Sequence, residues 1–232
     1  MKLKYLCLFF LGLLLFLDIF SIFYPLEWLI NIIYILFLIT AVVFFSKQYK
    51  RFNNNFYIFI ICSVLSFALR IFELNWDTNF SSLLLLIFAY LALIMEATKH
   101  IERKNASNFM LLYFFLITGL NAYFLSIHVF ELKDYLPDLL EFSLYIMYYV
   151  NLMILGITAF IYYLNSYSRK SVYFISLVLA LIFADVLRDM SIFYLKDPSV
   201  EVAEGILRLA ASVFVVLFFV TKEKKLRLIN MI

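Results

Sequence analysis

The chain is poor in the residues on which many cofactor and metal sites depend. Its 232 residues include 2 cysteines, 2 histidines, 3 prolines and 4 glycines, and only 15% of them are charged. Two isolated cysteines indicate neither a disulfide framework nor a metal site, and two histidines exclude paired-histidine haem ligation and a three-histidine zinc site. No lysine lies in the middle of an apolar run, which excludes a retinal Schiff base. We therefore expect no cofactor and no metal.

Apolar residues make up 66% of the chain, which is too much for a soluble domain. They form eight runs, each long enough to cross a hydrocarbon core of about 30 Å as a helix. The runs cover residues 3–24, 26–46, 56–74, 80–97, 109–130, 139–164, 171–194 and 202–221. They lack the period-two alternation of a β-barrel. The sequence therefore predicts an all-α polytopic bundle: one integral membrane domain over residues 1–232, with eight transmembrane helices.

The basic residues predict the orientation of these helices. Of the 19 Lys and Arg, 14 fall at the termini or in every second loop, on one side of the predicted bundle: Lys2, Lys4, Lys47, Lys50, Arg51, Lys99, Arg103, Lys104, Arg169, Lys170, Lys222, Lys224, Lys225 and Arg227. Since basic loops favour the cytoplasmic side, both termini are predicted to be cytoplasmic, in the plasma (inner) membrane. The first run begins like a signal peptide, but no small-x-small site follows, so we interpret it as a retained helix. The net charge of +3 reflects this anchoring. We expect membrane lipid as the partner and no nucleic acid.

Charged residues within the runs concentrate in the half of the membrane away from the basic loops. This outer layer contains six acids and three arginines: Asp18, Glu73, Glu141, Asp185, Asp189, Glu204, Arg70, Arg188 and Arg208. Such charges are costly in lipid and mark functional sites by default. The spacing i, i+3, i+4 puts Asp185, Arg188 and Asp189 on one helix face. We predict that the layer lines an interior pocket that opens to the outer side.

Six acids facing three arginines leave some carboxylates unpaired, and an unpaired buried carboxyl can donate a proton. We predict Asp185 and Asp189 as the catalytic carboxylates, with Asp185 as the acid because it lies deepest, while Asp189 or Glu204 pairs with an arginine. The arginines suit a phosphate or carboxylate head group. The predicted substrate-binding residues are Arg70, Arg188, Arg208, Glu73, Glu204 and Asp18.

Two short stretches suggest a duplication and a family. F67-A-L-R-I-F-E73 and F183-A-D-V-L-R-D189 lie four helices apart, as a 4+4 internal repeat would place them. The stretch L181-I-F-A-D-V-L-R-D-M-S-I-F-Y194 resembles the seventh-helix pattern of the lysoplasmalogenase-like (YhhN) family of eight-helix membrane proteins, with Asp185 at the aspartate position. The family has a second aspartate on helix three, where this chain reads S66-F-A-L-R70. The resemblance implies hydrolysis of the vinyl ether bond of lysoplasmalogens, with Asp185 as acid and Arg188 or Arg208 holding the head group.

Two other functions stay open. The arginines could pair with the acids only to lock the bundle, which would make the chain a non-enzymatic membrane component, either a sensor or an assembly partner. A small proton- or anion-coupled transporter is the other alternative. It is disfavoured because all three prolines lie in outer turns, whereas transporters commonly break their helices at mid-membrane.

Overall fold

Eight α-helices make up the described part of the chain. The computed structural model describes residues 2–23, 27–46, 53–72, 76–101, 108–136, 138–166 and 168–223, and these contain no β-strand. In chain order the helices are α1 (Lys2–Phe23), α2 (Glu27–Ser46), α3 (Asn54–Leu69), α4 (Trp76–Thr98), α5 (Asn108–Leu132), α6 (Leu139–Ser166), α7 (Arg169–Phe193) and α8 (Pro198–Val220). The prediction of an all-helical fold with eight helices is confirmed.

The third helix ends earlier than its apolar run predicts. The run extends to residue 74, whereas α3 ends at Leu69 and Arg70 caps it. The backbone N–H of Arg70 bonds to the carbonyl of Ser66, and the Arg70 side chain turns to the hydroxyl of Ser82 in α4. The chain therefore begins to reverse toward α4 at Arg70, although the residues that follow are still apolar.

Side-chain caps fix the start of α7 and of α8. Ser168 and Ser171 form a reciprocal capping box at the first turn of α7. Asp197 accepts the backbone N–H of Ser199 at 2.8 Å, and Pro198 occupies the first turn of α8. A proline there costs no helical hydrogen bond and favours the start of the helix. These caps hold the register of α7 and α8, the two helices that carry most of the buried charge.

Five of the helices, α4 to α8, are long and apolar enough to cross a membrane. The described side chains of α1, α2 and α3 hold shorter apolar stretches, Phe9–Ser21, Trp28–Phe44 and Asn54–Leu69. The outward face of α5 is apolar as well, with Phe115 68% and Phe130 71% exposed, which suits contact with lipid tails. These features indicate a helical membrane protein. Eight crossings, the side of the termini and the duplication stay predictions.

The core lies where α4, α6, α7 and α8 meet. The most extensive contact is between α7 and α8; α6 packs against α4 and α7, α3 packs against α4, and α5 lies against α6. Tyr90, Tyr148, Tyr162, Phe174 and Phe218 are the bulkiest buried aromatic side chains at this junction. A second apolar cluster joins α1, α2 and α3 to α8. The bundle is therefore organised around α8, which contacts both clusters.

Contacts at the two ends show that helices that follow one another in the chain, such as α3 and α4 or α6 and α7, run antiparallel. At one end, His100 after α4 lies beside Lys170 at the start of α7, and Glu223 after α8 bonds to Ser166 at the end of α6. We call this the basic end. At the opposite end, which we call the far end, Arg70 after α3 contacts Ser82 early in α4.

Candidate functional site: a buried ion cluster beside a cavity

Three charged side chains lie on one buried face of α7 near the far end. Asp185 and Asp189 are both 0% exposed, and Arg188 is buried. The Arg188 guanidinium lies between the two acids, with Nη2 2.7 Å from Asp189 Oδ1 and Nη1 3.4 Å from Asp185 Oδ1. The i, i+3, i+4 spacing thus produces a charged face that points into the bundle.

Helix α8 completes this group with a second ion pair. Arg208 Nη2 lies 3.1 Å from Asp185 Oδ1 and 3.0 Å from Glu204 Oε1, so it joins α8 to α7. The Arg208 guanidinium also lies over the rings of Tyr34 and Phe67, 5.5 Å from each centroid. The structure therefore brings together five of the predicted site residues. We call them the far-end cluster: Asp185, Arg188, Asp189, Glu204 and Arg208.

Tyrosine hydroxyls donate to both aspartates, and the sequence analysis did not predict these partners. Tyr90 from α4 and Tyr148 from α6 each donate to Asp185 Oδ2 at 2.5 Å. Tyr149 donates to Asp189 Oδ2 at 2.6 Å. The signal was present in α6, where Tyr145, Tyr148 and Tyr149 have the same i, i+3, i+4 spacing as the charges of α7.

Asp18 reaches the cluster from α1. It is 2% exposed, and its Oδ1 atom has no hydrogen-bond donor among the described residues. Its other oxygen packs on the backbone of α8, where a Cβ at Gly205 would lie only 2.2 Å from it. Glycine at this position therefore allows the carboxyl to approach α8. There it lies near Glu204 and Arg208, and both interact with it electrostatically.

Arg70 lies at the edge of the cluster and has a hydroxyl partner. Its Nε donates to Ser82 Oγ at 2.6 Å. Its positive charge lies near those of Arg188 and Arg208, which repel it. Among the described residues, no carboxylate forms an ion pair with Arg70. Glu73, the predicted neighbour, lies outside the described residues. Arg70 thus differs from Arg188 and Arg208, which both pair with carboxylates of the described structure.

A small, partly open cavity lies next to the far-end cluster. Arg208 and Tyr90, both bonded to Asp185, are among its lining residues. The rest of the wall is apolar apart from two small hydroxyl side chains. Its other lining residues are Leu38, Phe59, Ser63, Phe67, Leu86, Leu181, Ala211 and Ser212. The cavity therefore combines one charged side chain with a largely apolar wall.

The hydrogen-bond partners of Asp185 and Asp18 indicate which of the two carboxyl groups is suited to be ionised and which to be protonated. Asp185 accepts from two tyrosine hydroxyls on one oxygen and faces two guanidinium groups on the other. A carboxylate with this set of donors is satisfied as an anion and holds both arginines in place. Asp18, with one oxygen free of donors, is the carboxyl in the described structure that has room to carry a proton. The catalytic roles of Asp185 and Asp189 stay predictions.

The described residues contain no group of three or more His, Cys, Asp or Glu side chains arranged to hold a metal ion. Comparison with known proteins adds nothing to the site: no family model, curated protein or solved structure matches the chain.

Proposed function

We propose that the chain is a multi-pass membrane protein that takes a single-chain lipid into the cavity and hydrolyses its vinyl ether bond. The cavity is the observation that carries this proposal. Its largely apolar wall, which includes the guanidinium of Arg208, has the polarity of an amphiphile with one chain and one charged head.

The charges support a phosphate-bearing head group. Guanidinium groups bind phosphate oxygens in a bidentate manner. Arg208 lines the cavity but already pairs with Asp185 and Glu204, whereas Arg70 has no carboxylate partner among the described residues and is the arginine that would attract an anion. Since the site is largely closed to solvent, such pairs are stronger there than in water.

Acid-assisted hydrolysis suits the carboxyl groups beside the cavity. A vinyl ether accepts a proton on the double-bond carbon farther from the ether oxygen and becomes an oxocarbenium ion. Water adds to that ion, returns one proton to a base, and the resulting hemiacetal splits into an aldehyde and an alcohol. A protonated carboxyl of Asp18 would give the proton, and ionised Asp185 would take one back from water. The resemblance of residues 181–194 to the lysoplasmalogenase-like family supports the same reaction.

The test is aldehyde release from a 1-alkenyl lysophospholipid by the purified protein in lipid nanodiscs. The matched 1-alkyl lysophospholipid, which lacks the double bond, is the substrate control. We expect aldehyde from the first lipid alone and its loss in Asp185→Asn. Wild-type protein that releases no aldehyde would refute the activity.

A pair of neighbouring alanines tests whether the cavity holds the lipid chain. Ala211 lines the cavity and Ala210 does not. Ala211→Leu fills the space that the chain requires, so we expect KM to rise about tenfold or more, a cost of one to two buried methylene groups. Ala210→Leu adds the same side chain one residue away and should leave KM unchanged. Equal effects of the two variants would show that the lipid binds elsewhere.

A structural role is the second candidate, and the complete set of donors around Asp185 favours it. In that case the ion pairs join α7 to α8 and the chain is a sensor or an assembly partner. Exchanging the two charges, with Asp185→Arg and Arg188→Asp in one chain, should then restore part of the stability that Asp185→Asn loses. An enzyme would regain stability in this double variant without regaining aldehyde release.

A further inference from the structure

A line of hydrogen-bonding groups connects the surface of the far end with the far-end cluster. Tyr194, which caps α7, lies with its hydroxyl 2.8 Å from Nδ1 of His128 in α5. The other ring nitrogen, Nε2, lies 2.8 Å from the hydroxyl of Tyr149 in α6. Tyr149 in turn donates to Asp189 at 2.6 Å. Each link is within hydrogen-bond distance, and each group can exchange a proton.

The line runs from exposed to fully buried groups. Beyond its outer end, the carboxylate of Glu131, an exposed residue in the last turn of α5, lies near the hydroxyl of Tyr194. His128 is 5% exposed and Asp189 0% exposed. The line therefore crosses the shell of side chains that separates the far-end surface from the buried carboxylates.

Counting hydrogens fixes the direction of each bond. Asp189 Oδ1 faces Arg188, and Oδ2 accepts from Tyr149, so the Tyr149 oxygen is free to accept from His128 Nε2–H. In a neutral imidazole, Nδ1 then carries no hydrogen and accepts from Tyr194. When the ring carries a second hydrogen, Nδ1 donates to Tyr194 instead, and Tyr194 donates to Glu131. The same geometry accommodates two states that differ by one proton.

We propose that His128 relays protons between Glu131 at the far-end surface and Asp189 in the far-end cluster. A proton on Glu131 passes to the Tyr194 oxygen as the Tyr194 proton passes to Nδ1. The Nε2 proton then passes to the Tyr149 oxygen as the Tyr149 proton passes to Asp189 Oδ2. One proton has left Glu131 and one has reached Asp189, which leaves the imidazole with its hydrogen on Nδ1. A proton that returns from Asp189 to Glu131 by the same steps in reverse restores the Nε2–H tautomer.

The charged groups around His128 suit such a relay. Asp189 and Arg188 face the ring from α7, Glu131 faces it from its own helix, and the hydroxyls of Tyr149 and Tyr194 contact its two nitrogens. Burial and the arginine disfavour the imidazolium, and the two acids favour it.

The first test reads the imidazole directly and requires no activity. The chain has 2 histidines, so His100→Gln leaves His128 as the single source of a ¹⁵N-histidine signal in the full protein in nanodiscs. We expect the neutral ring to carry its hydrogen on Nε2. Glu131→Gln should lower the pH at which Nδ1 gains its hydrogen, whereas Asp134→Asn, an exposed acid of the same loop region, should shift it less. A hydrogen on Nδ1 in the neutral ring, or equal shifts in the two variants, would overturn the proposal.

The second test rests on the proposed function. His128→Gln and Tyr149→Phe break the line at different links, so each should lower kcat for aldehyde release about tenfold or more with KM unchanged. His128→Gln should also alter the pH dependence of kcat, which a purely structural effect would not do. Unchanged kcat and pH profile in a folded variant, while wild type is active, would overturn the relay. If wild type releases no aldehyde, the proposed activity fails and the NMR measurement alone decides on the relay.

Discussion

The same four helices, α4, α6, α7 and α8, are joined by charged groups at both ends of the bundle, but with different chemistry. The far-end cluster uses arginines and aspartates, and Asp185 at its centre is 0% exposed. At the basic end, Glu96 accepts from Lys99 at 2.9 Å and from Asn55 at 3.0 Å, and Lys170 lies beside His100. Lys99 is 51% exposed there. We call the second group the basic-end cluster: Glu96, Lys99, His100, Lys170 and Glu223.

The difference shows what each end is suited to do. Guanidinium groups keep their charge at any accessible pH and hold acids in fixed, multiple contacts, so the far-end cluster is a preorganised interior site. Lysine, histidine and glutamate near the surface exchange protons and ions with the solvent. The basic-end cluster therefore suits an anchoring role at the membrane surface, whereas the far-end cluster suits ligand binding.

Removing one cation from each cluster should give the largest contrast. Arg208→Met leaves Asp185 and Glu204 buried without their shared partner, and we expect a loss of about 3–5 kcal/mol in the free energy of unfolding. Lys99→Met removes a half-exposed partner of Glu96 and should cost about 0.2–1 kcal/mol. Thermal unfolding in detergent at low and high salt measures both. Salt should reduce the Lys99 effect and leave the Arg208 effect unchanged; similar losses in the two variants would mean that the far-end cluster is open to water.

The helices themselves were predictable because a hydrocarbon core imposes a length. Runs such as 139–164 and 171–194 differ from α6 and α7 by two residues or fewer at each end. The shared face of Asp185, Arg188 and Asp189 was also predictable, since it depends on helix geometry alone. The early end of α3 was not, because the turn at Arg70 depends on the tertiary contact with Ser82.

Partners on other helices could not be predicted from the apolar pattern. Tyr90 and Tyr148 lie in runs where a phenylalanine would fit equally well, so their bonds to Asp185 become visible only when α4, α6 and α7 are placed side by side. The basic-end cluster was missed for a similar reason. Lys99 and Lys170 were interpreted only as orientation signals, although Lys99 is also an ion-pair partner of Glu96.

Asp18 and Gly205 offer a smaller effect that tests how closely α1 is held to the far-end cluster. A Cβ at Gly205 would lie 2.2 Å from Asp18 Oδ2, whereas a Cβ at Gly119 in α5 would meet nothing within 4 Å. Gly205→Ala should therefore lower the free energy of unfolding by about 1–3 kcal/mol through overpacking. Gly119→Ala should be neutral or stabilising, because alanine favours the helix.

A double-mutant cycle identifies the carboxyl as the cause. Asp18→Ala removes the atom that the new methyl group would meet, so Gly205→Ala should cost much less in that background. An unchanged cost in the Asp18→Ala chain would place the strain elsewhere in α8 and would leave the approach of Asp18 to the far-end cluster without support.

The smallest of the predicted effects is a loss of folding stability in acid, which arises from His100 in the basic-end cluster. Burial lowers the pKa of His100 below its ordinary value of 6.5, and the neighbouring Lys170 lowers it further. Below about pH 6.5 the unfolded chain binds a proton that the folded chain resists. The contribution of His100 to stability is therefore complete above that pH and is lost as the pH falls through the folded pKa.

Glu223 should also lose its contribution to folding stability as the pH falls, but at a lower pH than His100. Burial alone would raise its pKa, but hydrogen bonds from Ser166, Ser168 and Tyr162 outweigh burial and hold it below 4.5. Its contribution is present above pH 4.5 and is lost as the pH falls through the folded pKa. Melting temperatures of wild type and His100→Gln between pH 8 and pH 5 separate the two residues, since only His100 acts in that window. The wild-type curve should fall relative to the variant toward pH 5 because the substitution removes the titrating group; parallel curves would mean that His100 is solvated like a free histidine and that the basic end is not closed around it.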